Sequence, residues 1–109
     1  MIMRITWGKL HPGTWREYEH VYNTIVIPKT KGLTGLQGRW LVQDTADPDA
    51  GFAVSLWARM EDMRAYEQSD LYQRELLPSL QPFFIGEFQT HRCEVKVAQE
   101  CQETATVVQ

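Results

Sequence analysis

The side chains with the clearest chemical potential are aromatic and basic residues at strand and helix positions. Tyr66 and Tyr72 could donate hydrogen bonds to a substrate oxygen that gains charge, and Arg4 could orient an anionic or quinone oxygen. His91 is a candidate base, because imidazole titrates near neutrality. Trp57 could stack a flat substrate. Together these residue types suit chemistry on a small aromatic molecule.

Each of these residues also has a purely structural interpretation. Trp57 could be an ordinary core residue, and the two tyrosines could fill volume while their hydroxyls reach backbone or water. Arg4 could pair with a strand glutamate such as Glu94, and His91 could be a satisfied interface histidine. The sequence leaves both interpretations open.

The cysteines, the other histidines and the known catalytic motifs point to no further site. Cys93 and Cys101 lack CxxC spacing, so we expect reduced thiols and neither a disulfide scaffold nor a zinc site. His11 and His20 have no carboxylate spacing typical of a metal triad and are interpreted as surface residues. The signatures of nucleotide enzymes, α/β-hydrolases and zinc proteases are absent. We therefore expect neither a metal nor a cofactor.

The composition is typical of one globular domain. The chain has 109 residues, a formal net charge of -3 and 43% hydrophobic residues. Its apolar runs are shorter than the roughly 20 residues of a membrane span, and its N-terminus lacks the pattern of a secretory signal. It has no Lys/Arg cluster for nucleic acid or an anionic membrane. We expect a cytoplasmic protein with neither of these partners.

Hydrophobic periodicity places the candidate residues on strands and helices. Residues 2–7 form a predicted strand with Arg4 and Thr6 on one face, and a capping-box spacing at Thr14 and Glu17 starts a helix that ends near residue 27. Glycines at 35 and 38 indicate a tight or bulged entry to the second strand. The later predicted elements are a strand at 52–57, a helix from Glu61, a restart at Ser69 or Asp70, an end or kink at Pro78 and a strand at about 87–97.

The order β-α-β-β-α-β predicts an α+β, ferredoxin-like fold with a four-stranded antiparallel sheet and helices on one face. Such a fold leaves the other sheet face uncovered. A second copy packing sheet to sheet would cover it, so we predict a homodimer through the sheet face. The single domain spans residues 1–97, and residues 98–109 form a polar C-terminal tail.

The segment from Gly51 to Tyr72, in which a strand ends in Trp57 and a helix is followed by Ser69-Asp70, resembles the antibiotic biosynthesis monooxygenase family. Upstream, the residues GLQGRWLV from Gly35 are similar to the second strand of that family. The resemblance spans roughly residues 2–97. It implies a dimeric α/β barrel of ferredoxin-like protomers, each with a pocket between its sheet and its helices.

The branches of this family carry different functional residues. In the haem-degrading branch an Asn, a Trp and an iron-ligating His match Thr6, Tyr66 and Leu76 here. Leucine cannot ligate iron, so haem degradation is not expected. In the polyketide oxygenase branch an Asn and a Tyr accompany the strand tryptophan, and the matching positions here are Ala53 and Met63. Only the tryptophan is retained.

The resemblance implies a cofactor-independent monooxygenase that oxidises a small aromatic, quinol or anthrone-like, substrate with O2. The candidate catalytic residues are His91 as the base and Tyr66 and Arg4 as charge-stabilising groups. The candidate substrate-binding residues are Trp57, Tyr72 and Thr6. The alternative is a non-catalytic dimeric small-ligand-binding module, because a fold does not define a function. The enzyme interpretation requires a pocket large enough for a bicyclic ligand.

Overall fold

Four strands form one antiparallel sheet in the computed structural model, which describes residues 1–101. The strands are β1 (Ile2–Lys9), β2 (Leu36–Gln43), β3 (Ala50–Trp57) and β4 (Gln89–Glu94). Their order in the sheet is β2-β3-β1-β4, and every neighbouring pair is antiparallel. The first and last strands therefore pair at the side of the sheet away from the β2–β3 hairpin, as the split pattern predicts.

Three helical segments connect and cover these strands. Segment α1 (residues 15–30) contains α-helix Trp15–Val21, π-helix Tyr22–Val26 and α-helix Ile27–Thr30. Segment α2 is the α-helix Met60–Glu67. Segment α3 (residues 71–83) contains π-helix Leu71–Leu76, α-helix Leu77–Leu80 and a 3₁₀ turn Gln81–Phe83. The predicted α+β, ferredoxin-like fold is confirmed.

Both long helical segments continue through a proline, which differs from the predicted end of α1 near residue 27. Pro28 and Pro78 each lie in the first turn of the α-helix that follows a π-helical stretch. A proline is tolerated at such a start, because its missing N–H and its ring then conflict least with the preceding turn. The π-helical stretch thus allows α1 to reach Thr30 and α3 to pass residue 78.

Segment α1 begins where the sequence predicts, but the predicted capping box is absent. The Thr14 hydroxyl donates a hydrogen bond to the His11 carbonyl oxygen at 2.7 Å and makes no side-chain cap contact with the helix. With φ of -103° and ψ of 5°, Thr14 lacks the extended conformation that a capping side chain usually needs. Its hydroxyl instead closes the turn through Pro12 and Gly13.

Strand β2 carries a bulge, as its glycines predict. Leu36 pairs with Trp57 and Gly38 pairs with Leu56, so Gln37 is an extra residue in the ladder. An extra residue reverses the alternation of side chains beyond it. Arg39 consequently shares the helix-covered face, while the tryptophan after it is 49% exposed on the other face.

The core lies between the sheet and the helices, and one sheet face stays open. The buried cluster consists of Ile2, Tyr22, Val26, Trp57, Met63, Tyr66 and Leu76. On the open face, Trp40, Val42 and Phe52 remain exposed. In residues 1–101, no element of the chain covers this face, as the sequence predicts.

The C-terminal strand is shorter than predicted, since β4 spans Gln89–Glu94 and not 87–97. Of the predicted tail at 98–109, residues 98–101 are exposed without regular secondary structure, and residues 102–109 lie outside the described part of the chain. Within residues 1–101, no helix has the length and apolar character needed to cross a membrane.

Candidate functional site

A cavity lies between the sheet and the helical layer. Its polar lining residues are Arg4, Thr6, Tyr18, Tyr22, Arg39, Tyr66 and Tyr72, and aliphatic and phenylalanine side chains complete the wall. The cavity has an internal volume of about 50 Å³. A dry cavity of about 150 Å³ is enough to bind benzene. The interior is therefore too narrow for a bicyclic ligand unless side chains move.

The strand register brings two arginines to the same cavity. Arg39 on β2 and Arg4 on β1 both pair with Ser55 on β3, so the three residues form one row across the sheet. Strand spacing places the backbones of the two arginines about 10 Å apart. Between them, Ser55 and Ala53 are small, which leaves space above the centre of the sheet.

Arg4 is held in place by a hydrogen-bonded network. Its Nε donates to Glu67 Oε2 at 2.6 Å, and its Nη2 donates to the Tyr72 hydroxyl at 3.0 Å. Glu67 also accepts hydrogen bonds from Arg92 Nε, at 3.0 Å to Oε2 and 3.1 Å to Oε1. The carboxylate partner of Arg4 is therefore Glu67 on α2 and not Glu94, the strand glutamate considered from the sequence.

The same network holds Glu67 in its charged form. Burial raises the pKa of this carboxyl group, but hydrogen bonds and charge interactions from Arg92 and Arg4 outweigh burial and leave the pKa below its ordinary value. An ionised carboxylate that already accepts bonds from two arginines is a poor general base. Its structural role is to orient Arg4.

Arg39 has a different environment. Its Nη1 donates to the Tyr22 hydroxyl at 3.1 Å, and its guanidinium carbon lies 5.5 Å from the centroid of the Tyr66 ring. Its Nε and Nη2 are buried and have no hydrogen-bond partner among the described residues. The sequence prediction missed Arg39, because its position inside the fold depends on the bulge at Gln37. The two glycines before it were the available signal.

Tyrosine and phenylalanine rings, and not Trp57, form the aromatic wall of the cavity. The centroids of Tyr66 and Tyr72 are 5.1 Å apart, and Trp57 lies 5.1 Å from Tyr66 on the far side. Trp57 is 0% exposed, does not line the cavity and donates its indole N–H to Ser55 Oγ at 2.9 Å. The structure therefore corrects the predicted stacking role of Trp57. This tryptophan is a core residue that packs against Tyr66.

His91 is separated from the other candidate residues by the sheet. In the β1–β4 ladder it pairs with Ile5, whereas Arg4 and Thr6 pair with Arg92 and Thr90. Because directly paired residues share a face and neighbours alternate, His91 projects from the open face. The prediction that it lines the same pocket as Arg4 is wrong. Strand β4 has polar residues on both faces, so its sequence does not indicate which face packs against the helices.

Both π-helical stretches border the cavity. Tyr22 begins the stretch in α1, and Tyr72 is the second residue of the stretch in α3. Such π-bulges occur frequently at functional sites, because they redirect side chains that a regular helix would present elsewhere. Here they direct two tyrosine hydroxyls toward Arg39 and Arg4, respectively.

The cavity suits an anionic aromatic ligand. Its lining combines aromatic rings with two guanidinium groups that stay charged. Burial, the largest effect, raises the pKa of Tyr66 despite the opposing charges of Arg39 and Arg4, so its hydroxyl remains protonated and able to donate. Within residues 1–101, no group of three His, Cys, Asp or Glu side chains could hold a metal ion.

The fold occurs in several solved structures. A Bordetella bronchiseptica protein that carries the family name antibiotic biosynthesis monooxygenase is 22% identical, with a TM-score of 0.78 over 89% of this chain and 97% of that one. SnoaB, a cofactor-independent oxygenase from Streptomyces nogalater solved as a mutant, is 10% identical, with a TM-score of 0.75 over 89% and 94%. A conserved protein from Methanosarcina mazei is 16% identical, with a TM-score of 0.76 over 87% and 92%.

No protein-family model matches the sequence, and no curated protein matches it significantly. The structural likeness, at low sequence identity, concerns the arrangement of strands and helices. The resemblance found in the sequence is thereby confirmed for the fold. This chain has the fold of the antibiotic biosynthesis monooxygenases.

Proposed function

We propose that the protein is a cofactor-independent monooxygenase that oxidises a small aromatic, quinol-like or anthrone-like, substrate with O2. The observation that carries this proposal is the cavity in which Tyr66 and Tyr72 provide aromatic surface and Arg4 and Arg39 provide positive charge. Such a cavity favours the anionic form of a flat substrate, and that form is the one that can give an electron to oxygen. The likeness to SnoaB in fold agrees with this chemistry.

In the proposed reaction, the bound anion transfers electrons directly to O2. For an anthrone-like substrate, a ring CH2 group becomes a carbonyl, one oxygen atom enters the product and the other leaves as water. The substrate supplies all the electrons that reduce O2 and both hydrogen atoms of the water, so the reaction needs no other reductant. The protein contributes binding, orientation and electrostatic stabilisation of the anion.

Stabilisation of the anion takes the place of a dedicated base in this proposal. His91 projects from the opposite sheet face, and Glu67 is ionised and bonded to two arginines. A shift of one pKa unit in the bound substrate requires about 1.4 kcal/mol of preferential interaction with its anion. The guanidinium of Arg39, which has no carboxylate partner among the described residues, can provide that preference, with water accepting the proton at the open mouth.

Substrate entry requires the cavity to widen. Phe88 lies in the wall, half-buried, in the irregular stretch before β4, where no regular ladder holds its backbone. Movement of this side chain is the least costly way to admit a ring, because it breaks no strand pairing. We assign Phe88 the role of the displaceable wall.

The functional unit in this proposal is a homodimer joined through the open sheet faces. Trp40, Val42 and Phe52 leave apolar area in contact with water on that face, which also carries His91 on β4. Burial of this area against a second copy would stabilise the assembly by the hydrophobic effect. His91 would then be an interface residue.

The test is oxygen uptake by metal-free protein with a panel of reduced naphthoquinols and anthrones, corrected for autoxidation without enzyme. We expect saturable uptake that falls roughly 10-fold in Tyr72→Phe, which loses the hydroxyl that holds Arg4. His91→Ala and the exposed-residue control Arg74→Met should retain full turnover. Absence of enzyme-dependent uptake across the panel would refute the oxygenase proposal.

The alternative function is a non-catalytic dimeric small-ligand-binding module. The narrow interior of the cavity and the position of His91 on the other face favour it. A binding module would show quenching of tryptophan fluorescence by the same aromatic compounds without oxygen uptake. Oxygen uptake that saturates with the binding curve would exclude it.

A further inference from the structure

We propose that Arg39 is a binding site for the carboxylate group of an aromatic ligand. This inference deepens the proposed function, because it adds a carboxylate to the substrate, but the binding it describes does not require turnover. It rests on one feature: Arg39 lines the aromatic cavity, and one edge of its guanidinium group is buried without an acceptor among the described residues.

The two unpartnered atoms lie on the same edge of the guanidinium group. Nε and Nη2 point in parallel from that edge, and Nη1 on the other side is already bonded to the Tyr22 hydroxyl. Parallel N–H groups of this kind match the two oxygens of a carboxylate, which they bind as a bidentate pair. A neutral hydroxyl or a single carbonyl would satisfy only one of them.

Among residues 1–101, no carboxylate pairs with Arg39, in contrast to Arg4. Arg4 bonds to the Glu67 carboxylate, whereas the hydrogen-bond partner of Arg39 is the neutral phenol of Tyr22. Arginine cannot escape a buried site by losing its proton. An unpaired buried cation is costly, and an anionic ligand would remove that cost.

The aromatic part of the ligand follows from the surroundings of this edge. The guanidinium carbon lies over the Tyr66 ring, 5.5 Å from its centroid, and Tyr72 is next to Tyr66. A ring attached to the carboxylate would therefore meet aromatic and aliphatic wall residues. The free edge is buried from solvent. The cavity interior is smaller than an aromatic ring, so binding of the ligand requires the interior to widen.

The experiment is an NMR titration with benzoate and with its neutral analogue benzamide, combined with thermal unfolding at each ligand concentration. In the wild-type protein, benzoate should shift the Arg39 Nε–Hε resonance and raise the Tm, and benzamide should bind at least roughly 10-fold more weakly. Arg39→Met should weaken benzoate binding roughly 30-fold, because it removes both charge-assisted bonds.

Two further variants make the result specific. Arg39→Lys keeps the charge but loses the two parallel N–H donors, so it should weaken benzoate binding less than Arg39→Met does. It also replaces Arg39→Met as the test variant if that protein does not fold. Arg74→Met removes an exposed arginine that does not line the cavity and should bind benzoate like the wild type.

Three results would overturn the carboxylate site: no benzoate binding by the wild-type protein, equal binding of benzamide, or undiminished binding by both Arg39 variants. Failure of this site and failure of the oxygenase proposal are distinguishable. Benzoate binding through Arg39 without oxygen uptake by the panel would refute only the oxygenase. Oxygen uptake without benzoate binding would refute only the carboxylate site.

Discussion

The Arg4 guanidinium on β1 is joined to the Glu67 carboxylate on α2, with Nε 2.6 Å from Oε2, across the interface of the sheet and the helical layer. Both side chains are mostly buried. The pair links the centre of the sheet to the C-terminal end of α2 and holds Arg4 against the hydroxyl of Tyr72. The same contact therefore supports both stability and the geometry of the cavity.

The first prediction concerns the pH dependence that this ion pair confers. Folding lowers the pKa of Glu67 below its ordinary value of 4.5, so its stabilisation is complete above that value and is lost as the pH falls through the folded-state pKa. Glu67→Gln should reduce the free energy of unfolding at pH 7 by about 1–3 kcal/mol. Urea denaturation from pH 7 to pH 3 should show the difference from wild type shrinking below pH 4.5. A constant difference over this range would contradict the linkage.

The second prediction concerns Trp57, which is completely buried and donates to Ser55. Trp57→Ala should cost about 3–5 kcal/mol of unfolding free energy, because it leaves a large cavity in the core. Trp57→Phe should cost less, because it keeps an aromatic ring in the core. The cost that remains includes the loss of the hydrogen-bond donor to the Ser55 hydroxyl. Urea denaturation of this variant, of Ser55→Ala and of the double mutant measures the coupling. Fully additive costs would show that the indole hydrogen bond contributes nothing.

The third prediction separates backbone conformation from contact at two glycines. Gly13 and Gly35 have similar positive φ values, 77° and 82°. A Cβ at Gly13 would meet nothing within 4 Å, whereas a Cβ at Gly35 would lie 2.3 Å from Asp62 Oδ2 and 2.6 Å from its Cβ. Gly13→Ala should therefore cost about 1 kcal/mol, and Gly35→Ala about 1–3 kcal/mol more. Equal losses of stability in thermal unfolding would mean that Asp62, near the start of α2, moves away from the new Cβ at little energetic cost.

The fourth prediction tests the proposed homodimer with two equally exposed aliphatic residues. Val42 on the open sheet face is 43% exposed, and Ile27 on α1 is 42% exposed. Val42→Lys should shift the protein toward monomer in sedimentation and light-scattering measurements, because it would place a charge in the interface. Ile27→Lys should leave the dimer intact. A wild-type protein that is monomeric at micromolar concentration, or equal effects of both variants, would refute the sheet-face dimer.

The sequence by itself determined the order of the elements and the fold class. The alternation in β1, the glycine-rich entry to β2 and the apolar spacing of Tyr18 and Tyr22 are local patterns, and local backbone preferences govern them. The prolines at 28 and 78 were misleading as helix ends. A π-helical stretch that accommodates a proline depends on packing against the sheet, which no local pattern reports.

The tertiary structure decided which candidate residues meet. Pairing across β1, β3 and β4 placed Arg4 inside and His91 outside, although both lie on strands with polar residues on both faces. The bulge at Gln37 brought Arg39 to the cavity, and the packing of α2 placed Tyr66 between Trp57 and the ligand space. Because side chains alternate at every strand position, one residue of register decides the face, and only long-range pairing fixes that register.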